Sequence, residues 1–236
     1  MSSKPADRGG GVYLKSTRFI DSDRSEIIDF ARQCSRDRET DVGRAIALYE
    51  AVRDGIEYDV HRIDLRPEAL RASSVLARGS GFCVSKAILL AAAARAIGIP
   101  SRLGFADVKN HLATERLLRL MQTDLFVFHG YTQLLLNNKW VRATPAFDRS
   151  LCERFDVAPL EFDGRNDSVF QQFDRKGNRY MEYVHDRGLH ADVPRIEMLE
   201  AFREHYPSLM SGDGYDLRGG FGDEATTKGG GASPAS

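Results

Sequence analysis

The chain has 236 residues, with 33 Lys and Arg against 34 Asp and Glu and a net charge of −1, so no one-sided field draws it to nucleic acid or to an anionic membrane. Its length allows one domain or a cramped pair. One is the better reading, because residues 1–11 and 211–236 are dominated by Gly, Ser, Ala and charge and cannot bury enough apolar surface to offset their ordering entropy. The expected organisation is a disordered tail over 1–11, a domain over 12–210 and a Gly/Ser-rich disordered tail over 211–236.

The amino terminus lacks the apolar core of a signal peptide, and the stretch Ile88–Ala96 is far short of the roughly 20 apolar residues that a membrane span needs. A soluble, cytoplasmic protein is expected, of unassigned oligomeric state. The three cysteines, Cys34, Cys83 and Cys152, are scattered with no CxxC pair, which argues against a disulfide framework and a cysteine-rich zinc site.

In chain order, SEIIDFARQC over 25–34 places Ile27, Ile28, Phe30 and Ala31 on one helical stripe behind a possible Ser25 cap. The next segment, 40–55, has Val42, Ala45, Ile46, Tyr49 and Val52 at helical intervals and Gly55 as a stop. A short extended piece, IEYDVHRI, leads to PEALRASSVLARGSG, where Pro67 suits a first helical turn and Gly79 and Gly81 break the helix. From Cys83 to Ile97 the chain has no Pro or Gly and is apolar nearly all round, the pattern of a helix in the middle of a domain.

Beyond Pro100 the period changes. SRLGFADV reads as a strand and HLATERLLRLMQ as a helix. TDLFVFHGYTQLLL, the turn NNK and WVRATPAF read as a hairpin. A turn at DRKGN precedes a short strand RYMEYV, and VPRIEMLEAFREHY closes as a helix. Helices first and antiparallel strands after make the class α+β, with a buried helix packed on the sheet.

Cys83 sits where a glycine-rich turn, RGSGF, enters that buried helix. A helix amino terminus favours a thiolate through its free N–H groups and dipole, and the same amides suit an oxyanion. Against this, cysteine is often simply a small buried residue. Of the six histidines, His129 stands out within the apolar run FVFHGYTQLLL, where it is either a base or a satisfied core residue. WVRATPAFD offers Thr144 and Asp148 as groups to hold its tautomer. A metal set from His111, His185, His190, Asp186 and Asp192 contains no HExxH or close Cys/His pair, so no metal and no cofactor is expected.

The order Cys, His, acid resembles the transglutaminase-like superfamily, a branch of the papain-like thiol enzymes. The likeness rests on GFCVSKAILLAAAARAIGIPSRLGF, with Arg95, Ala96, Gly98, Ile99, Pro100 and Arg102 as its R-A-x-G-I-P-x-R tail, on HGYTQLLLNNKWV, and on the upstream YEAVRDGIEYD. It covers about residues 40–150. The resemblance implies a papain-like fold with Cys83 as nucleophile and His129 as general base. Members commonly carry W-x-x-x-D-P with the Asp orienting the histidine; here the place four beyond Trp140 is Thr144, followed by Pro145, and Asp148 comes four residues later. Asp148 is preferred to Thr144 because a carboxylate stabilises imidazolium better than a hydroxyl does.

The expected function is acyl chemistry on a peptide, protein or small-molecule amide, as a peptidase or amidase or as an acyltransferase. An inactive papain-like module that binds peptides is the alternative. The insert from Asp107 to Asp124 is a lid or an ordinary surface helix.

Overall fold

The computed structural model describes residues 11–60, 62–111, 115–169, 181–210 and 212–216. Helix α1, Ser25–Ser35, and helix α2, Asp41–Gly55, come first. Thr40 caps α2 by accepting the Gly43 N–H, whereas Ser25 is the first residue of α1 rather than its cap, and its hydroxyl turns to Glu26. Strands β1, Glu57–Tyr58, and β2, Arg62–Asp64, follow. The stretch after them is two short helices, α3 (Pro67–Leu70) and α4 (Ala72–Arg78), because Arg71 between them is extended. Gly79 ends α4 in the left-handed conformation at φ 70°. Strand β3, Ser80–Gly81, pairs in parallel with β1.

Helix α5 runs from Cys83 to Ala96, and every residue from Val84 to Arg95 is buried. It packs on β4 (Ser101–Asn110) and β5 (Leu125–Leu136), with helix α6 (Glu115–Met121) lying between those two strands in sequence. Burying Ile88, Leu89 and Leu90 alone is worth about 1.5–3 kcal/mol each. Asn137 and Asn138, at φ 49° and 63°, make the tight turn from β5 into β6, Lys139–Ala143. After helix α7 (Arg149–Arg154) come β7 (Met181–His190), α8 (Arg195–His205) and β8 (Gly214–Asp216).

The main sheet is antiparallel in the order β6-β5-β4-β7. The class is therefore α+β, a buried helix on an antiparallel sheet. Among the described residues no helix is long and apolar enough to cross a membrane. The domain runs past residue 210: β8 pairs antiparallel with β2, and Leu65 donates its N–H to Asp213. Low apolar content does not prevent a three-residue strand from completing an existing edge. The expected DRKGN turn, residues 1–10 and residues 217–236 lie outside the described residues.

Lys86 is the one charge in the first three turns of α5, and it is fully buried. Its ammonium donates to the carbonyls of Arg53 (2.9 Å) and Ile56 (2.6 Å), where α2 ends. Burial brings its pKa down to about 7, opposed by the nearby charge of Asp148. Arg53, also fully buried, reaches Glu161 and the Leu160 carbonyl. These two cations tie α2 to α5 and to the chain that follows α7.

Candidate functional site

Cys83 is the first residue of α5, behind an extended Phe82, and no side chain caps this helix end. The Cys83 and Val84 amides of its first turn therefore have no capping side chain to serve and are directed at the sulfur itself. Gly130, on β5, lets the strand come up against that turn: a Cβ there would stand 2.9 Å from the Val84 Cα. The half-buried Cys83 and the buried His129 line one cavity of about 30 Å³, together with Tyr58, Phe82, Met121, Phe126, Phe202 and Tyr206. A second, smaller cavity on the other side of His129 is bounded by Phe147, Asn110 and Tyr58.

The apolar walls dominate the electrostatics. Burial pushes the Cys83 thiol up to about 11, although the N–H groups of Gly130, Val84 and Cys83 itself act in the opposite direction. Burial alone takes His129 down to about 4. The helix end is thus outweighed, and the thiolate expected from it is replaced by a neutral pair, thiol beside imidazole. The other two thiols are elsewhere. Cys34 is half-buried against the core, and Cys152 is fully buried in α7; burial raises both.

The two candidates for the third position stand apart from this cavity. Thr144 follows the last residue of β6; its N–H donates to Ser168 and its carbonyl accepts from the Tyr49 hydroxyl. Its Oγ1 is buried with no hydrogen-bond partner among the described residues. Asp148 caps α7. One carboxylate oxygen accepts from the Leu151 N–H (2.8 Å) and the Ser150 hydroxyl (2.7 Å), the other from the Tyr58 N–H (3.2 Å). Burial works against its ionised form, but these bonds and Lys86 win and hold its carboxyl below the usual range. Neither residue is hydrogen-bonded to His129. Asp148 reaches the cavity through Tyr58, whose ring meets Phe147 edge to face at 4.8 Å.

Of the histidines weighed for a metal, His111 contacts Glu182 at 3.4 Å and His190 contacts the Arg187 carbonyl at 3.1 Å. Among the described residues no cluster of three or more His, Cys, Asp or Glu is placed to hold a metal ion. Three groups escaped the sequence reading. Tyr206 lines the cavity and makes two hydrogen bonds to β5. Lys86 was visible as a charge inside an apolar run. Asp107, a buried carboxylate flanked by the buried Phe105, Ala106 and Val108, was visible in the same way.

The family model for the transglutaminase-like superfamily matches residues 28–145, which is 118 of the 236 residues. No curated protein matches. Two solved structures are similar at 16% identity. One is a candidate cysteine protease from Cytophaga hutchinsonii, with a TM-score of 0.47 over 78% of this chain and 55% of that one. The other is a candidate protease from Parabacteroides distasonis, with a TM-score of 0.37 over 57% of this chain and 26% of that one. The chain thus spans about half the length of the first and about a quarter of the second.

Proposed function

The chain belongs to the transglutaminase-like superfamily, and on that premise we propose that it performs cysteine-dependent acyl chemistry on an amide, with Cys83 as nucleophile and His129 as general base. The observation that supports this reading is the shared cavity: a thiol at an uncapped helix end and an imidazole on the adjoining strand, with no other titratable group among the described lining residues except the hydroxyls of Tyr58 and Tyr206.

Because the resting pair is neutral, the proton leaves sulfur only as the sulfur attacks. His129 takes that proton while the S–C bond forms, and the carbonyl oxygen becomes an oxyanion beside the free amides of the first turn of α5. Collapse expels the amine, which takes the proton back from His129, and leaves a thioester on Cys83. Water or a second amine then attacks the thioester, His129 again relays the proton, and the thiol is restored. Hydrolysis and transfer differ only in that acceptor. Asp148 supports the pair indirectly, by fixing Tyr58 and the turn that carries Phe147.

A cavity of about 30 Å³ holds roughly one or two waters. An acyl group needs the walls to move, and those outside the main sheet include Met121 at the end of α6 and Phe202 on α8. The small cavity and the neutral pair favour a second reading, a module that keeps the scaffold and binds partners without turnover.

Alkylation separates the two. Under the catalytic reading, iodoacetamide at neutral pH modifies Cys83 faster than Cys34 or Cys152, and His129→Ala slows that reaction alone. Equal, slow modification of all three, read by peptide mass spectrometry, would leave only the binding module.

A further inference from the structure

We propose that Asp107 is a positioning residue for the Cys83–His129 pair, acting by holding a bulge in β5 that aims His129 and the Gly130 N–H at the thiol. The proposal rests on the catalytic reading of that pair and adds a residue that touches neither member.

The ladder between β4 and β5 slips by one residue: Ala106 faces His129, but Val108 faces Phe126. Val127 and Phe128 together therefore stand opposite the single residue Asp107, a bulge one step before His129. Phe128 takes φ 55°, a left-handed conformation that glycine adopts freely and a bulky aromatic residue resists. A bulge also strips N–H groups from the ladder, and buried N–H groups need acceptors.

Both are supplied by side chains. The Asp107 carboxylate accepts the Phe128 N–H at 3.0 Å, and the Tyr206 hydroxyl accepts the Val127 N–H at 2.7 Å while donating to the Leu125 carbonyl at 3.0 Å.

Arg187 completes the support. It stands on β7 where that strand is itself irregular against β4, donates its Nε to the same Asp107 oxygen at 2.5 Å, and lays its guanidinium 4.5 Å from the centre of the Phe128 ring. Asp107 thus fixes the N–H of the strained residue, and Arg187 fixes both Asp107 and the ring. The chain leaving this support is His129 and Gly130, one lining the thiol's cavity and the other placing its N–H toward the sulfur. Strain of this kind, held by surrounding bonds, is a feature of sites that need a side chain in one orientation.

The test uses the full chain and iodoacetamide. Asp107→Leu removes the acceptor for the Phe128 N–H; Asp107→Asn keeps an oxygen to accept it and leaves Arg187 in place. The leucine variant is expected to modify Cys83 about tenfold or more slowly at pH 7, since a displaced base forfeits part of a general-base effect worth on the order of a hundredfold or more. Its rate should rise about tenfold per pH unit, as a thiol without a base does. The asparagine variant should keep the wild-type rate and pH profile.

Wild-type labelling in the leucine variant, or equally slow labelling in both, overturns the proposal. If the leucine variant does not fold, Asp107→Ala decides in its place: Cys83 labelling slowed about tenfold supports the role and a wild-type rate refutes it. Should wild-type Cys83 itself label no faster than Cys34, the catalytic reading fails first and takes this proposal with it.

Discussion

The two elements that supply the proposed Cys83–His129 pair are built in opposite ways. Helix α5 is regular from its first residue, is buried on all sides from Val84 to Arg95, and presents Cys83 simply by beginning where it does. Strand β5 reaches His129 through a slipped register and a left-handed phenylalanine, supported by side chains from β4, from β7 and from Tyr206 just after α8. Regular secondary structure is enough to place a nucleophile, because a helix end brings its own amides. A base that must meet that helix end from a neighbouring strand needs a local departure from the ladder, and the departure has to be held.

The largest effect that bears on this contrast comes from acid. Burial depresses His129 from 6.5 to about 4, so the unfolded chain binds a proton that the folded chain refuses. The stability contributed by the neutral ring is present above about pH 6.5 and is lost as the pH falls toward 4. The full loss is about 3 kcal/mol for that one group. Urea titrations from pH 7 to pH 4 should show the slope, and His129→Gln should flatten it. An unchanged slope would mean that the ring is solvated and not held in the apolar cavity.

Next comes the contact between the two elements. Gly130→Ala places a methyl group 2.9 Å from the Val84 backbone, a contact that only a shift of α5 or β5 relieves, at an expected cost of about 1–3 kcal/mol. The same shift separates sulfur from imidazole. Thermal unfolding and Cys83 labelling should therefore fall together, whereas a loss of stability with labelling intact would show that the close approach serves packing only.

The smallest effects distinguish the two residues after β6. Asp148→Ala removes the cap of α7 and the acceptor for the Tyr58 N–H, and about 1–2 kcal/mol of stability should go with it. Thr144→Val replaces an unpartnered buried hydroxyl with a methyl group of similar size. It should be neutral or stabilising by up to about 1 kcal/mol, with Cys83 labelling unchanged. A loss of labelling in the valine variant would restore Thr144 as the group that acts on His129.

Legibility in the sequence follows the distance over which each feature is determined. The glycine turn, Cys83 and the apolar helix are contiguous, so their pattern is local and readable. His129 is readable because a polar ring inside an apolar run is itself a signal. The surroundings of Thr144 and Asp148 depend on how the chain bends after Ala143, which no periodicity encodes, and the six-residue α7 is too short to show a period. The support of the bulge was hidden for the same reason: Asp107 and Tyr206 meet β5, and Arg187 meets Asp107, across 21 to 80 residues of chain. A register slip leaves no mark in composition.

The two hydrogen bonds of Tyr206 also set an order of assembly. Val127 and Tyr206 are 79 residues apart, and at roughly 5–20 residues per second of synthesis a ribosome needs about 4–16 s to make the chain between them. For most of that interval the nascent protein already contains its helix, its cysteine and its histidine, but not yet the wall that Phe202 and Tyr206 contribute. The thiol is therefore finished late, when nearly all of the described fold has been synthesised, and the incomplete chain cannot run the chemistry proposed for the complete one.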